Sequence, residues 1–393
     1  MNKPLKQHLI DPEICIRCYT CEMTCPVGAI QHDDSNVVVD ADTCEFCMDC
    51  IPVCPTGSID EWRVVATPYS LDEQYSWEEL PAQAEIGDSA GVEALDAAVE
   101  ALLAEAHKGA GGKSRAPATA TKPSVNLYTL GKPATARVTG NFRLTSADSG
   151  SDVRHIILDF GNQPMPVLEG QSVGIIPPGT DAQGRPHLPR LYSVSSPRDG
   201  ERANFNNLSL TVKREDQGLC SNYVCDLKIG DEVKVTGPFG ATFLMPEDPA
   251  ARMLMICTGT GSAPFRAFTM RRQRLAAGGG GDMVMFFGAR TPDSLPYFGP
   301  LNKVPERLLK KHLVFSRIPG VAKEYVQDRM RIEQEAVAEM LADAKTHVYI
   351  CGLKGMEQGV ELAFRNIAES TGLPWEATRD AMRDDGRYHV ETY

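Results

Sequence analysis

Hydrophobic and polar positions divide the chain of 393 residues into stretches of different texture. Between Thr135 and Thr236, short apolar-rich runs are separated by turn residues: Thr135–Thr145, Val153–Phe160, Ser172–Ile176, Leu191–Ser195, Asn207–Arg214 and Glu232–Thr236. That spacing predicts the strands of an antiparallel β-barrel. From Arg252 the pattern changes. Strand-like Arg252–Cys257, Met283–Gly288, Leu313–Ser316 and Val348–Cys351 alternate with helix-like Pro264–Leu275, Tyr325–Asp343, Gly355–Thr371 and Trp375–Arg383. Such alternation predicts an α/β region with a parallel sheet.

The front of the chain has neither texture. Val37–Asp40 reads as a short strand, and Arg63–Ala66 as another that pairs near His8–Ile10. Residues 68–127 read as a linker. Within it Val92, Leu95, Val99, Leu102 and Leu103 recur at helical spacing, which predicts one amphipathic helix over Ser89–His107. Gly109–Ser124 is rich in Gly, Ala, Lys, Thr and Pro and reads as flexible, with a root-mean-square reach of about 20–24 Å. The expected domains are therefore 1–67, 68–127, 128–247 and 248–393.

Chemistry enters with the cysteines. Cys15, Cys18, Cys21 and Cys25 are followed by Pro26; Cys44, Cys47, Cys50 and Cys54 are followed by Pro55. Both runs read C-x₂-C-x₂-C-x₃-C-P, and the second repeats the first after 29 residues. Zinc knuckles use C-x₂-C pairs but rarely add a third Cys at x₂ and a fourth at x₃ before Pro. The run resembles that of bacterial two-cluster ferredoxins, in which the fourth Cys ligates the other [4Fe–4S] cluster. The resemblance implies that Cys15, Cys18, Cys21 and Cys54 hold one cluster, and Cys44, Cys47, Cys50 and Cys25 the other. A structural role for the clusters stays open at this point. The remaining Cys220, Cys225, Cys257 and Cys351 suggest no bridges, and the chain reads as soluble and cytoplasmic.

Charge is uneven. The net −12 concentrates at the front: residues 1–67 carry 4 Lys/Arg against 11 Asp/Glu, and 68–127 carry 4 against 10. An acidic front end argues against nucleic acid and suits docking to a basic patch on a protein partner. The same acidity would also merely solubilise. No apolar run has the length of a membrane span, and Met1–Cys15 has no apolar signal core. The 8 histidines form no metalloprotease-like set.

Three motifs lie in the second half. Arg190-Leu191-Tyr192-Ser193 opens a strand-like run. Gly218-Leu219-Cys220-Ser221-Asn222 reads as a turn entering a helix, whose free N–H groups suit a phosphate. Thr258-Gly259-Thr260-Gly261 follows a strand and opens a helix, where glycines let the backbone approach a pyrophosphate. Alone, the last could be an ordinary tight connection.

Together with Glu169–Ile176, Leu210–Arg214, Gly237-Pro238-Phe239-Gly240, Val348–Met356 and Val390-Glu391-Thr392-Tyr393, these motifs make residues 132–393 similar to plant-type ferredoxin–NADP⁺ reductases. The resemblance implies an FAD-binding barrel over 128–247 and an NADP-binding domain over 248–393. Arg190 would pair with the FAD pyrophosphate, Tyr192 would stack on one flavin face, and Ser193 would hydrogen-bond near flavin N5. Gly218, Cys220 and Ser221 would hold FAD phosphate; Thr258, Gly259, Thr260 and Gly261 would cradle the NADP pyrophosphate. Cys351 and Glu391 would flank the nicotinamide, and Tyr393 would stack on the other flavin face and move for nicotinamide to enter. Ser316, Arg317, Lys323 and Tyr325 match the family's NADP-specific positions, since cations and a hydroxyl suit a 2′-phosphate and an aromatic ring suits adenine. Lys213 would add a contact to the dinucleotide. Cys257 stands where the family carries Gly.

The implied whole is a wire: NADPH to FAD, FAD to two [4Fe–4S] clusters, clusters to a protein acceptor. A ferredoxin placed ahead of a plant-type reductase resembles the reductase components of benzoyl-CoA 2,3-epoxidase systems, which implies a di-iron benzoyl-CoA oxygenase as acceptor. Two alternatives stay open: a general NADPH–ferredoxin or flavodoxin oxidoreductase, and a non-catalytic assembly subunit with structural clusters. A homodimer is open as well.

Overall fold

The computed structural model describes residues 5–59, 62–65, 67–81, 99, 101–106, 108, 115–180, 184, 186–275 and 280–393. The chain falls into two compact units, Met1–Glu93 and Ala94–Tyr393.

In the first unit, β1 (Leu5–His8), α1 (Thr20–Thr24), β2 (Ile30–His32), β3 (Val37–Val39), β4 (Trp62–Val65) and α2 (Leu71–Tyr75) follow in order. Antiparallel pairs β1–β4 and β2–β3 cap a small core of Ile10, Cys21, Ile30, Val37, Val39 and Ile59. The pairing strand expected near His8–Ile10 starts earlier and runs from Leu5 to His8; Leu9 and Ile10, which follow it, are buried in the core.

The cysteine repeat is a repeat of backbone as well. Cys15 N–H donates to Asp11 O and Cys44 N–H to Asp40 O, both at 3.0 Å. Arg17 and Tyr19 take φ of 53° and 57°, and their counterparts Phe46 and Met48 take 54° and 72°. These left-handed turns curl each run around a centre, in a region that costs most side chains energy. Two cross-links exchange the halves: Asp11 N–H donates to Ser58 O, and Asp40 N–H to Ala29 O, both at 2.8 Å. Each half is therefore tied to a residue beyond its own cysteine run.

Residues 69–77, placed in the linker by the sequence, are tied to this unit. Gln74 sits on the edge of β3, accepting from Val39 N–H at 3.1 Å and donating to Val39 O at 2.9 Å. Asn36 donates to the carbonyls of Gln74, Tyr75 and Trp77. Each such bond contributes about 1 kcal/mol, enough to seat a helix too short to show a period.

The second unit holds two sheets. The barrel strands are β5 (Ala134–Arg143), β6 (Val153–Asp159), β7 (Ser172–Ile176), β8 (Arg190–Ser193), β9 (Asn207–Lys213) and β10 (Glu232–Phe239), with α3 (Leu219–Asp226) between the last two. They pair antiparallel in the order β8-β7-β10-β5-β6-β9. A bridge from Val194 to Leu210 and a bond from Ser195 N–H to Ser209 O at 2.8 Å join the two end strands and close the barrel. The antiparallel reading of this region is borne out.

The parallel sheet is built from β11 (Arg252–Thr258), α4 (Ser262–Leu275), β12 (Met283–Ala289), α5 (Phe298–Asn302), β13 (Lys310–Phe315), α6 (Val326–Ile332), α7 (Gln334–Ala342), β14 (Thr346–Gly352), α8 (Lys354–Thr371), α9 (Trp375–Asp384) and β15 (Tyr388–Thr392). Strand order is β13-β12-β11-β14-β15, all parallel. Its central strands β11 and β12 read as near-continuous apolar runs because both faces are covered. The order reverses beside β11, and such a switch point opens a crevice at the strands' carboxyl ends. Thr258 and Gly352 end there. The single helix expected over Tyr325–Asp343 is two helices, parted at Glu333 (φ −91°, ψ 26°).

Of the predicted linker helix, Val99 and residues 101–106 are helical, and the rest lies largely outside the described residues. Of the segment read as flexible, residues 109–114 lie outside them. Residues 115–124 contradict the expectation. Pro117 is buried, Arg115 donates to Asp384 O, Glu247 N–H to Thr119 O, and Gln171 Nε2 to Ser124 O. Polar and Pro-rich composition resembles a free linker; specific side-chain bonds make it a strap. Among the described residues no helix is long and apolar enough to cross a membrane.

Candidate functional site

The eight cysteines of the two runs are all unbridged. Four of them, Cys25, Cys44, Cys47 and Cys50, line one cavity together with Val27, Ala29, Ile30, Val39, Met48 and the ring of His8. Cys25 thus joins the second run, although it belongs to the first. On the other side, Cys54 adds its charge to Cys18 and Cys21, as Cys15 does to Cys21. Burial pushes the Cys21 thiol up to about 11 and the Cys50 thiol up to about 12, with neighbouring cysteines adding to each. Buried thiols raised this far give up their protons when a metal takes the proton's place. Among the described residues no three His, Cys, Asp or Glu side chains gather round a single ion. Soft thiolate donors opening on a shared, largely apolar cavity fit an iron–sulfur cluster.

The second centre lies where barrel and parallel sheet meet. On β8 alternate residues face opposite ways, so Arg190 and Tyr192 share one side while Ser193 faces the other. Tyr192 is half-buried against the barrel core. Burial, then the neighbouring Cys220, raises its hydroxyl far above its ordinary value. Cys220 is buried in the first turn of α3, and Arg190 lies close enough to both to influence them. Gly218 caps this helix. The Ser221 hydroxyl accepts from Glu215 N–H at 3.1 Å and donates to Gly218 O at 3.2 Å, so it serves to shape the turn.

Ser193 donates to Glu391 Oε1 at 3.1 Å. Glu391 is itself beside Cys351 in the register of β14 and β15, and Cys351 is beside Cys257 in that of β11 and β14. Cys351 is fully buried, and burial, then Glu391, raises its thiol well above the ordinary value. It is a neutral group wedged between a carboxylate and the turn.

That turn is close-fitted. A Cβ on Gly261 would sit 2.2 Å from Cys351 O, so only glycine lets the helix start so near β14. Gly259 takes φ of 56° with open space where a Cβ would point. Thr258 Oγ1 is buried with no hydrogen-bond partner in the structure. An orphaned hydroxyl beside a glycine opening and a helix start fits an anionic diphosphate. Tyr393, half-exposed, shares a 2.8 Å hydrogen bond with the Thr260 hydroxyl and donates its N–H to Gly352 O at 3.0 Å. Cys257 ends a fully buried stretch of β11 and leaves the turn intact.

Ser316 and Arg317 follow β13, anchored by their N–H groups to Ala289 O and Arg290 O. Lys323 and Tyr325 are exposed further along the same loop. Lys213 pairs with Glu215 at 2.6 Å instead of standing open to a ligand. Sequence reasoning missed Arg290, exposed at the carboxyl end of β12 beside Arg317; a charged residue closing an apolar run was its signal. It also missed the clamp between the lobes. Arg266 from α4 holds Glu201 with both nitrogens, at 2.6 and 2.8 Å, and the Ser195 carbonyl at 2.7 Å.

Two families match parts of the chain: the 4Fe-4S dicluster domain over residues 14–58 and the oxidoreductase NAD-binding domain over residues 255–362. The cyanelle ferredoxin–NADP reductase of Cyanophora paradoxa is 38% identical over 287 residues, spanning 68% of this chain and 79% of that relative. A ferredoxin–NADP reductase of Spirulina sp is 36% identical over 288 residues, spanning 68% and 98%. The ferredoxin–NADP⁺ reductase structure from Plasmodium falciparum superposes with a TM-score of 0.56 at 28% identity, covering 68% of this chain and 99% of that one. A structure of that reductase with 2′P-AMP superposes with a TM-score of 0.55 at 26% identity. Barrel, parallel sheet and crevice define an oxidoreductase of ferredoxin-reductase fold. The chain belongs to the ferredoxin–NADP reductase family, with an iron–sulfur ferredoxin domain in front of the reductase.

Proposed function

We propose that the chain takes reducing equivalents from NADPH and delivers them as single electrons, through two [4Fe–4S] clusters, to a protein acceptor. The observation that carries this reading is the Ser193–Glu391 bond with Cys351 alongside, set at the switch point of a chain that also holds the duplicated cysteine runs. FAD, when bound, supplies the conversion between two-electron and one-electron chemistry. The residues that would hold it are Arg190, Tyr192, Ser193, Gly218, Cys220 and Ser221, with Ser221 acting by shaping the helix start. Thr258, Gly259, Thr260 and Gly261 would hold the dinucleotide diphosphate. Ser316, Arg317, Lys323 and Tyr325 would select NADPH, a reading supported by the 2′P-AMP bound to the Plasmodium reductase. Glu391 orients the Ser193 hydroxyl; Cys351 supplies a neutral, buried wall; Tyr393 covers the site and would swing aside for nicotinamide. Cys15, Cys18, Cys21 and Cys54 would ligate one cluster, Cys25, Cys44, Cys47 and Cys50 the other.

For the acceptor, the order of domains supports a di-iron oxygenase acting on benzoyl-CoA. The curated relatives, named for ferredoxin, support a second reading: a general NADPH–ferredoxin oxidoreductase. The test is to reduce the chain with NADPH and mix it anaerobically with the oxygenase. Reoxidation that needs benzoyl-CoA supports the first reading; equal reoxidation by added ferredoxin or flavodoxin, whatever the CoA ester, supports the second.

A further inference from the structure

We infer that the two cluster sites are built to unequal potentials, and that hydroxyl groups of Thr20, Thr56 and Ser58 make the site of Cys15, Cys18, Cys21 and Cys54 the one where an electron rests. The inference deepens the two-cluster reading above.

The duplication supplies its own control, since every residue of one run has a counterpart 29 positions away. Thr20 Oγ1 donates to Cys18 Sγ at 3.4 Å. Cys54 Sγ has Ser58 Oγ at 3.3 Å and Thr56 Oγ1 at 3.7 Å; with the sulfur ligated as thiolate, both hydroxyls donate. All three bonds fall on one crossed set of ligands. At the counterpart positions stand Asp49 for Thr20, Val27 for Thr56 and Ala29 for Ser58. None of these side chains donates: a carboxylate only accepts, and the other two are hydrocarbon. Cys25 Sγ accepts from the backbone N–H of Ala29, at 3.2 Å.

Charge points the same way. Between Cys15 and Cys25, Arg17 and Glu22 cancel; between Cys44 and Cys54, Glu45 and Asp49 add two negative charges. Reduction adds an electron and so makes a cluster more negative. Donors on the ligating sulfurs stabilise that added charge, and nearby carboxylates oppose it. Both effects favour the reduced state at the first site. His8 is a polar ring among the lining of the second cavity, yet the hydroxyls and the balance of charge are concentrated at the first.

The experiment is an EPR-monitored redox titration of the full chain, with iron and sulfide analysis of the same samples. Two separate midpoints are expected. Thr20→Val, Thr56→Val and Ser58→Ala should each lower the higher midpoint and leave the lower one in place. The converse variant, Val27→Thr, should raise the lower midpoint only. A shared midpoint for both clusters, or hydroxyl variants that move the lower midpoint or neither, would overturn the inference while two clusters' worth of iron keeps the underlying reading intact. One cluster's worth of iron in the unaltered chain would overturn that reading itself.

Discussion

Ser193, on the last strand position before the barrel closes, donates to Glu391 Oε1 at 3.1 Å across the crevice from the parallel sheet. The two residues are 198 positions apart in sequence and meet because β8 lies at the barrel end that faces β15. Their bond fixes the hydroxyl where the family resemblance puts the reacting end of the flavin. Ser193→Ala removes the donor, and Glu391→Ala frees the hydroxyl to rotate. Each should slow flavin reduction by NADPH on the order of 10²-fold, seen by anaerobic stopped-flow absorbance. Glu391→Gln keeps an accepting oxygen and should lose less. Equal losses for Gln and Ala would mean that charge, and not orientation, is what Glu391 contributes.

Tyr393 is held at two points, by its hydroxyl to Thr260 and its N–H to Gly352. Tyr393→Ala removes the ring and its hydroxyl bond. On the proposed gate role, the expected outcome is a higher kcat/KM with NADH relative to NADPH, because a cover that NADPH would displace with the help of 2′-phosphate contacts would no longer have to be displaced. An unchanged ratio would sink the gate role.

Ser316, Arg317 and Arg290 gather at the carboxyl ends of β13 and β12, with Arg317 N–H bonded to Arg290 O at 2.8 Å. Ser316→Asp combined with Arg317→Ala replaces a hydroxyl and a cation by an anion. The KM for NADPH should rise far more than that for NADH, and Arg290→Ala should give part of the same effect. Equal changes for the two nucleotides would move the 2′-phosphate site elsewhere.

The clamp between the lobes gives a pH dependence. Burial alone would raise the Glu201 carboxyl, but hydrogen bonds from His155 and Arg266 outweigh it and hold the group well below the usual carboxylate range. A carboxylate lowered on folding adds stability above its unfolded value of about 4.3 and loses it as pH falls toward the folded value. Glu201→Gln leaves the Arg266 guanidinium, mostly buried, without its anion, at a cost of about 3–5 kcal/mol near pH 7. Thermal unfolding of both proteins should show this gap shrinking below about pH 4.3. A gap constant with pH would mean that the loss comes from packing.

Legibility from sequence followed the kind of interaction involved. The run Ser172–Ile176 was readable end to end because local alternation and turns specify it, and the two cysteine runs because their spacing along the chain is itself the pattern. The break at Glu333 was invisible: Val326, Met330, Val337, Met340 and Leu341 keep one apolar stripe through it. The strand Tyr388–Thr392 was not read as a strand, since His389, Glu391 and Thr392 are polar and only pairing with β14 buries them. Thr258 and Gly259 could be named from sequence, but not the orphaned hydroxyl or the open space beside them. Glu201 and Arg266, 65 positions apart, carry no local pattern that announces a partner.

The most direct measurement is an anaerobic titration of the purified chain with NADPH, followed by visible absorbance and EPR. The account predicts that the flavin bleaches and that reduced [4Fe–4S] signals grow with added NADPH in the same protein. Flavin that reduces while the clusters stay silent, even after equilibration with a mediator, would contradict an internal wire from nicotinamide to iron–sulfur clusters.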